Sequence, residues 1–226
     1  MHMGKMIIMG SGGYTLEPES CIIDEYFLRI IGKGSPKICL LPTACGDRQE
    51  TIEKFHQYFQ SYGAITSHVS LFSVEIDNIE SHLLQQDGIY ITGGNTKSML
   101  ALWKDWGIDH VLQKAYESGV IIFGISAGAM CFFEEGFSDF HANRYVPLRG
   151  FGLLEGSFCP HYVPGEERAL AFQEHIRTNK IKPGIGLEDG VALYCENGKI
   201  LDVIKSRSKA HAFRVDASGK HNSINV

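Results

Sequence analysis

GISAGAM, residues 124–130, directly follows the apolar run VIIF at 120–123, and its reading decides the fold. Four consecutive large apolar residues suit a strand buried on both faces, which is the habit of a parallel sheet covered by helices. The spacing Gly124-Ile125-Ser126-Ala127-Gly128 then predicts a sharp turn out of that strand, with a helix over 127–133. At such an elbow the central residue is pushed clear of the sheet, and glycines two places before and after it relieve crowding. The Ser126 hydroxyl would stand exposed over the sheet edge, and the Ala127 N–H would point to where an oxyanion forms. A helix start beyond it favours negative charge. The plainer alternative is a small residue in a tight corner, because G-x-S-x-G also arises by chance.

Working outward from this elbow, short β-type runs alternate with helical patterns. Strands are expected over 6–9, 37–41, 65–71 and 88–91, and helices over 22–31, 47–62, 76–84, 97–105 and 108–118. Gly32, Gly34 and Gly63 supply helix stops and Pro42 a strand stop. Beyond the elbow the pattern is less regular, with possible strands at 157–159, 184–187, 191–195 and 199–204 and a helix over 166–178. Such alternation indicates a three-layer α/β/α fold with a mostly parallel sheet, and the strands after 184 read as antiparallel additions at an edge. The whole chain, 1–226, is expected to form one domain. Ligands on these sheets bind beyond the carboxyl ends of the strands, so 10–14, 42–47, 92–96 and 124–127 draw attention together.

Composition narrows the function. A net charge of −5 with 44% hydrophobic and 21% charged residues is that of an ordinary soluble protein. The absence of any basic run argues against nucleic acid as a partner. No apolar run approaches the ~20 residues that a membrane helix needs, so no membrane association is expected. Cys21, Cys39, Cys45, Cys131, Cys159 and Cys195 lack C-x-x-C spacing and read as reduced thiols. With no signal-peptide pattern, the expected compartment is the cytoplasm. Neither a metal nor an organic cofactor is implied.

A nucleophilic serine needs a base and an oxyanion site. Of ten histidines, His161 is best placed, in Cys159-Pro160-His161-Tyr162 at the end of an expected strand. Three carboxylates could fix the imidazole: Glu188 and Asp189, side by side after Gly184-Ile185-Gly186-Leu187, and Asp139 in Phe137-Ser138-Asp139-Phe140. Thr92-Gly93-Gly94-Asn95-Thr96 ends another strand, where paired glycines allow a backbone N–H close to a substrate carbonyl. The same loop can cap the helix after it, with Asn95 or Thr96 as N-cap.

The elbow, the Gly93-Gly94-Asn95-Thr96 loop, Pro160-His161-Tyr162 and Gly186-Leu187-Glu188-Asp189-Gly190 occur in an order and spacing that resembles the serine peptidases of the peptidase E (aspartyl dipeptidase) and cyanophycinase family. The likeness runs from the first strand to about residue 205. It implies a fold like class I glutamine amidotransferases, with serine in place of their cysteine. It also implies Ser126 as nucleophile, His161 as base, and oxyanion N–H groups from Gly94 and Ala127. Asn95, Thr96 and Arg168 would contact a small peptide substrate. The family's acid, a glutamate in peptidase E, falls on Asp189 with Glu188 adjacent, and another functional aspartate of the family matches Asp139. Arg168 matches an arginine that reads an N-terminal aspartate in peptidase E, although the loop between it and His161 is shorter here. The resemblance leaves monomer and homodimer both open.

Two other readings use the same residues. An α/β-hydrolase-like esterase runs serine, acid, histidine along the chain, an order Asp139 and His161 could fill. In a non-catalytic module, Gly10-Ser11-Gly12-Gly13 and Thr92-Gly93-Gly94 would hold a small anion.

Overall fold

The computed structural model describes residues 4–14, 16, 22–141 and 144–225, with Phe140 and His141 described by backbone alone. Five strands form the parallel part of the main sheet: β1 (Lys5–Met9), β2 (Lys37–Leu41), β3 (Ile65–His68), β4 (Gly88–Ile91) and β5 (Ile121–Ile125). Between them run α1 (Ile22–Ile31), α2 (Gln49–Ser61), α3 (Ile79–Leu84), α4 (Thr96–Trp106) and α5 (Ile108–Ser118). A four-residue helix, α6 (Ala127–Met130), follows the elbow. The next strands are β6 (Phe133–His141), β7 (Arg144–Arg149) and β8 (Leu154–Pro160), followed by α7 (Glu167–Arg177). The chain closes with β9 (Gly184–Leu187), β10 (Val191–Glu196), β11 (Lys199–Lys205), β12 (Ala212–Val215) and β13 (His221–Ser223).

The main sheet has the order β11-β10-β1-β5-β4-β2-β3. Its β1, β5, β4, β2 and β3 are mutually parallel, and β10 and β11 add antiparallel at the edge, as expected from sequence. Alternation along β1 divides the core, since successive strand side chains point to opposite faces. Ile7 and Met9 pack with Phe27 of α1 and with Phe55 and Phe59 of α2. Met6 and Ile8 join the opposite cluster, which includes Met99 and Trp103 of α4 and Leu112 of α5.

A second sheet, in the order β13-β12-β9-β8-β6-β7, departs from the sequence expectation. Its residues Phe133, Phe158, Ile185 and Leu187 enter the same cluster as Met6 and Ile8, so this sheet shares the layer over that face with α3–α6. Its outer face is covered by α7, through Phe172 and Ile176 against Phe137, Tyr162 and Phe213. The helix expected over 127–133 therefore stops at Met130, and the chain re-enters extended structure at Phe133, where the buried aromatic rings of Phe133 and Phe158 stack at 4.9 Å. The segment 184–187 is likewise not an addition to the main sheet. It pairs in parallel with β8, and β12 pairs antiparallel to it.

Among the described cysteines, Cys39, Cys45, Cys131, Cys159 and Cys195 are free thiols; Cys21 lies outside the described residues. Burial pushes the Cys39 and Cys195 thiols up to about 12, which makes them packing groups rather than nucleophiles. No helix among the described residues is long and apolar enough to cross a membrane.

Candidate active site

Four parallel strands end together. Met9 lies opposite Ile125, Ile91 opposite Gly124, and Leu41 opposite Ile91. Just beyond β5, Ser126 has φ 48° and ψ −105°, a backbone that L residues rarely adopt. It is held there by its own N–H donating to Met9 O at 2.9 Å and by Met130 N–H donating to Ser126 O at 2.8 Å. The flanking glycines are explained by close backbone approach, Gly124 to Gly128 and Gly128 to Ile91 of β4. A Cβ on Gly124 would lie 2.2 Å from Gly128 O, and one on Gly128 would lie 2.6 Å from Ile91 O. The strand and the helix start touch backbone to backbone, and this forces the turn that presents the hydroxyl.

The second sheet supplies the partners. β8 and β9 are parallel and in register, Pro160 opposite Leu187, so the residues that follow them emerge side by side. His161 turns there with φ 54°, and Tyr162 N–H donates to Leu187 O at 2.9 Å. Its Nε2 lies 3.0 Å from Ser126 Oγ and its Nδ1 2.7 Å from Asp189 Oδ1. The turn carrying Asp189 is tied to the main sheet, with Gly190 N–H donating to Ser11 O at 2.7 Å and Gly10 N–H to Val191 O at 3.0 Å. The hydrogen bond from His161 is the main influence holding the Asp189 carboxyl below the usual aspartate range; partial burial opposes it, and the charges of His161, Arg207 and Arg168 add to it. A hydroxyl, an imidazole and a carboxylate in this line can pass a proton from oxygen to nitrogen while the carboxylate stabilises the resulting imidazolium.

The other residues nominated from sequence lie apart from this line. Glu188 faces away: its Oε2 accepts from His211 N–H at 2.6 Å, and its own N–H donates to His211 O at 3.2 Å. Asp139, on β6, accepts from Arg168 Nη2 at 2.8 Å. Arg168, on α7, also lies with its guanidinium 4.9 Å from the centre of the Tyr145 ring. Asn95 caps α4, its side-chain oxygen accepting from Ser98 N–H at 2.8 Å. Thr96 is buried, its hydroxyl 3.8 Å from Met130 Sδ. None of these five lines the cavity over Ser126.

That cavity, about 420 Å³, is walled by Ser126, His161, Thr92, Gly93 and Gly94, by Ser11 and Gly12 of the loop read above as an alternative anion site, and by residues that sequence reading did not nominate: Tyr14, Cys45, Tyr90 and, at the start of α2, Arg48, Glu50, Thr51 and Lys54. Tyr14 and Cys45 fall in segments marked by their position at strand ends, which chose no side chains; Tyr90, within β4, and the α2 residues carried no such signal. Gly93 sits against the serine, where a Cβ would lie 3.3 Å from Ser126 Cβ. Gly94 has φ 143° and leaves no room for a side chain, since a Cβ would lie 2.0 Å from Ala44 O. Ala127 is the first residue of α6, so its N–H has no acceptor within the helix.

The family model of peptidase family S51 matches residues 6–203. The chain belongs to peptidase family S51. As a family S51 member it is a peptidase, and the family supports a serine peptidase. It is similar to an uncharacterized peptidase of Bacillus subtilis (strain 168), YgaJ, with 42% identity over 213 residues, covering 94% of this chain and 92% of that protein. It is also similar to peptidase E of Shewanella amazonensis, with 27% identity over 146 residues, 57% of this chain and 61% of that protein. Among solved structures, a peptidase from an acI-B1 actinobacterium matches with a TM-score of 0.69 at 19% identity, over 99% of this chain and 98% of that one. A candidate peptidase E of Listeria monocytogenes EGD-e matches with a TM-score of 0.65 at 19% identity, over 90% and 98%. The family S51 chain thus has the class I glutamine amidotransferase-like α/β fold that the resemblance implied.

Proposed function

We propose that this family S51 peptidase hydrolyses short peptides through an acyl-enzyme formed on Ser126. The observation that carries the reading is the unbroken chain Ser126 Oγ, His161, Asp189, with links of 3.0 and 2.7 Å, on a strained elbow facing a cavity. Ser126 Oγ attacks the scissile carbonyl as His161 Nε2 takes its proton. Asp189 holds the ring with Nδ1–H toward it and balances the positive charge. The tetrahedral oxyanion sits between the N–H groups of Gly94 and Ala127. Collapse breaks the C–N bond as His161 returns the proton to the leaving amine; water, deprotonated by the same imidazole, then attacks the acyl-enzyme, and His161 gives that proton to Ser126 Oγ as the ester C–O bond breaks and the acid leaves. A 420 Å³ cavity matches a ligand of dipeptide size.

The chain order serine, histidine, acid is not that of α/β-hydrolases, and Asp139, the acid such an esterase would use, is bonded to Arg168. The reading is tested by reaction with a fluorophosphonate followed by peptide mass mapping. Stoichiometric phosphonylation of Ser126 with loss of dipeptide turnover is expected, and an unmodified Ser126 in active protein would overturn it.

The oxyanion assignment has its own test in Gly94→Ala. The added Cβ would meet the Ala44 carbonyl in a backbone conformation that suits glycine alone, so the loop must move. The expected result is a fall in kcat of about 10²-fold or more, with Tm lowered by roughly 2–10 °C. Wild-type kcat in a destabilised variant would remove Gly94 from the oxyanion site.

A further inference from the structure

The cavity over Ser126 has a charged side. Its wall includes the start of α2, with Arg48, Glu50 and Lys54. Glu50 and Lys54 neutralise each other, Nζ to Oε1 2.8 Å apart. Arg48 has no ion-pair partner within 4 Å among the described residues and influences Glu50 only through longer-range charge. Arg168, the cation suggested by the family resemblance, is instead paired with Asp139 and absent from the cavity wall.

The backbone beneath Arg48 is built to stay in place. Asp47, immediately before it, has φ 51°, and its Oδ2 accepts from Ser70 Oγ at 2.6 Å, Leu71 N–H at 2.8 Å and Phe72 N–H at 3.2 Å. Asp47 N–H donates to Pro42 O at 3.3 Å, and Ala44 O accepts Asn95 N–H at 2.8 Å. The Trp103 indole N–H donates to Thr43 Oγ1 at 3.0 Å. The turn that carries Arg48 is therefore clamped to the loop that carries Gly94, so the exposed Arg48 side chain rises from a backbone fixed relative to the serine's cavity. Tyr14 also lines this wall, but its hydroxyl is buried, without a hydrogen-bond partner among the described residues, and burial pushes its pKa up.

We propose that Arg48 binds a carboxylate of the peptide substrate, and so sets the charge preference of this peptidase. The inference rests on the reading of the Ser126 cavity as the substrate site. A guanidinium on a fixed base offers two parallel N–H donors to a carboxylate, which a neutral amide cannot match. Two carboxylates of a short peptide have this chemistry, the C-terminal one and an acidic side chain.

The test uses four peptides: Asp-Leu, Asn-Leu and the C-terminal amide of each. Their binding to Ser126→Ala protein is measured calorimetrically, with and without Arg48→Gln, so that no turnover intervenes. Arg48→Gln is expected to weaken binding of the peptides bearing the recognised carboxylate by about 10- to 100-fold, and to leave Asn-Leu amide unchanged. Loss confined to the two free acids identifies the C-terminal carboxylate; loss confined to Asp-Leu and its amide identifies the side chain. Equal losses across all four, no loss in any, or no binding of any at millimolar concentration overturns the proposal. Fluorophosphonate labelling of Ser126 is read separately in the wild-type and Arg48→Gln proteins. If Ser126 resists labelling in both proteins, the acyl-enzyme reading fails, while the binding comparison still judges Arg48 by itself.

Discussion

Ser126→Ala is expected to lower kcat/KM for a cleaved dipeptide by about 10⁵-fold while the protein stays folded. The size follows from what is removed. Without Oγ no acyl-enzyme forms, and His161 and Asp189 have no nucleophile to activate, so the three groups fail as a unit. What survives is oxyanion stabilisation and substrate positioning, worth roughly 10³–10⁴ over water. Stability should hardly move. The strain at φ 48° belongs to the backbone, which the Met9 and Met130 hydrogen bonds hold, and the hydroxyl contributes one contact, to His161. A Tm within about 2 °C of wild type is expected, since changes away from a packed core cost little. Turnover within tenfold of wild type would end the assignment of Ser126 as nucleophile.

The second large effect separates two neighbouring carboxylates. Asp189→Asn is expected to lower kcat by about 10³–10⁴-fold, because an amide facing Nδ1 favours the wrong tautomer and cannot balance the imidazolium. Glu188→Gln should change kcat less than about fivefold, since Glu188 serves the backbone of His211 and not His161. The reverse ranking would transfer the acid to Glu188, and the absence of loss in both would leave the imidazole without a carboxylate partner.

A pH series sharpens the comparison. The hydrogen bond from His161 holds the Asp189 carboxyl below its ordinary value of 3.8. A group whose folded value is depressed adds stability that is fully present above its unfolded value and is lost as pH falls through the folded one. The Tm difference between wild type and Asp189→Asn should therefore be steady above that ordinary range and shrink as pH drops below 3.8. A difference that widens in acid would show that Asp189 is not stabilised as the anion.

Residue order by itself determined the parallel sheet and the elbow. Apolar runs such as Val120-Ile121-Ile122-Phe123 leave no polar face, so each had to be a strand covered on both sides. The spacing of Gly124, Ser126 and Gly128 pointed to a sharp turn after that strand, and the structure shows strand and helix backbones touching there. It also put His161 and the Glu188-Asp189 pair at strand ends. Those are local properties, carried by side-chain size and period. The second sheet was not legible in this way. β7 and β13 are local hairpin partners of β6 and β12, but those hairpins join the sheet only where β6 meets β8 and β12 meets β9, and Phe132 and Phe133 after a helix start read equally well as helix or strand.

Tertiary structure decided the acid and the cavity wall. Glu188 and Asp189 are adjacent just past β9, Glu188 bonded to the backbone of His211 and Asp189 already in the turn that follows. Which one meets His161 depends on the register of β9 against β8 and on the tie from Gly190 to Ser11, neither of which is written in either residue. The same holds for the two arginines. Arg168 follows the histidine closely in sequence, yet α7 turns it onto Asp139 and Tyr145. Arg48 lies 78 positions before Ser126, yet the parallel order of β2, β4 and β5 brings its loop to the serine's cavity. Side-chain chemistry is inherited from the sequence; which groups share a cavity is set by strand order and register, and these are fixed only when the whole sheet closes.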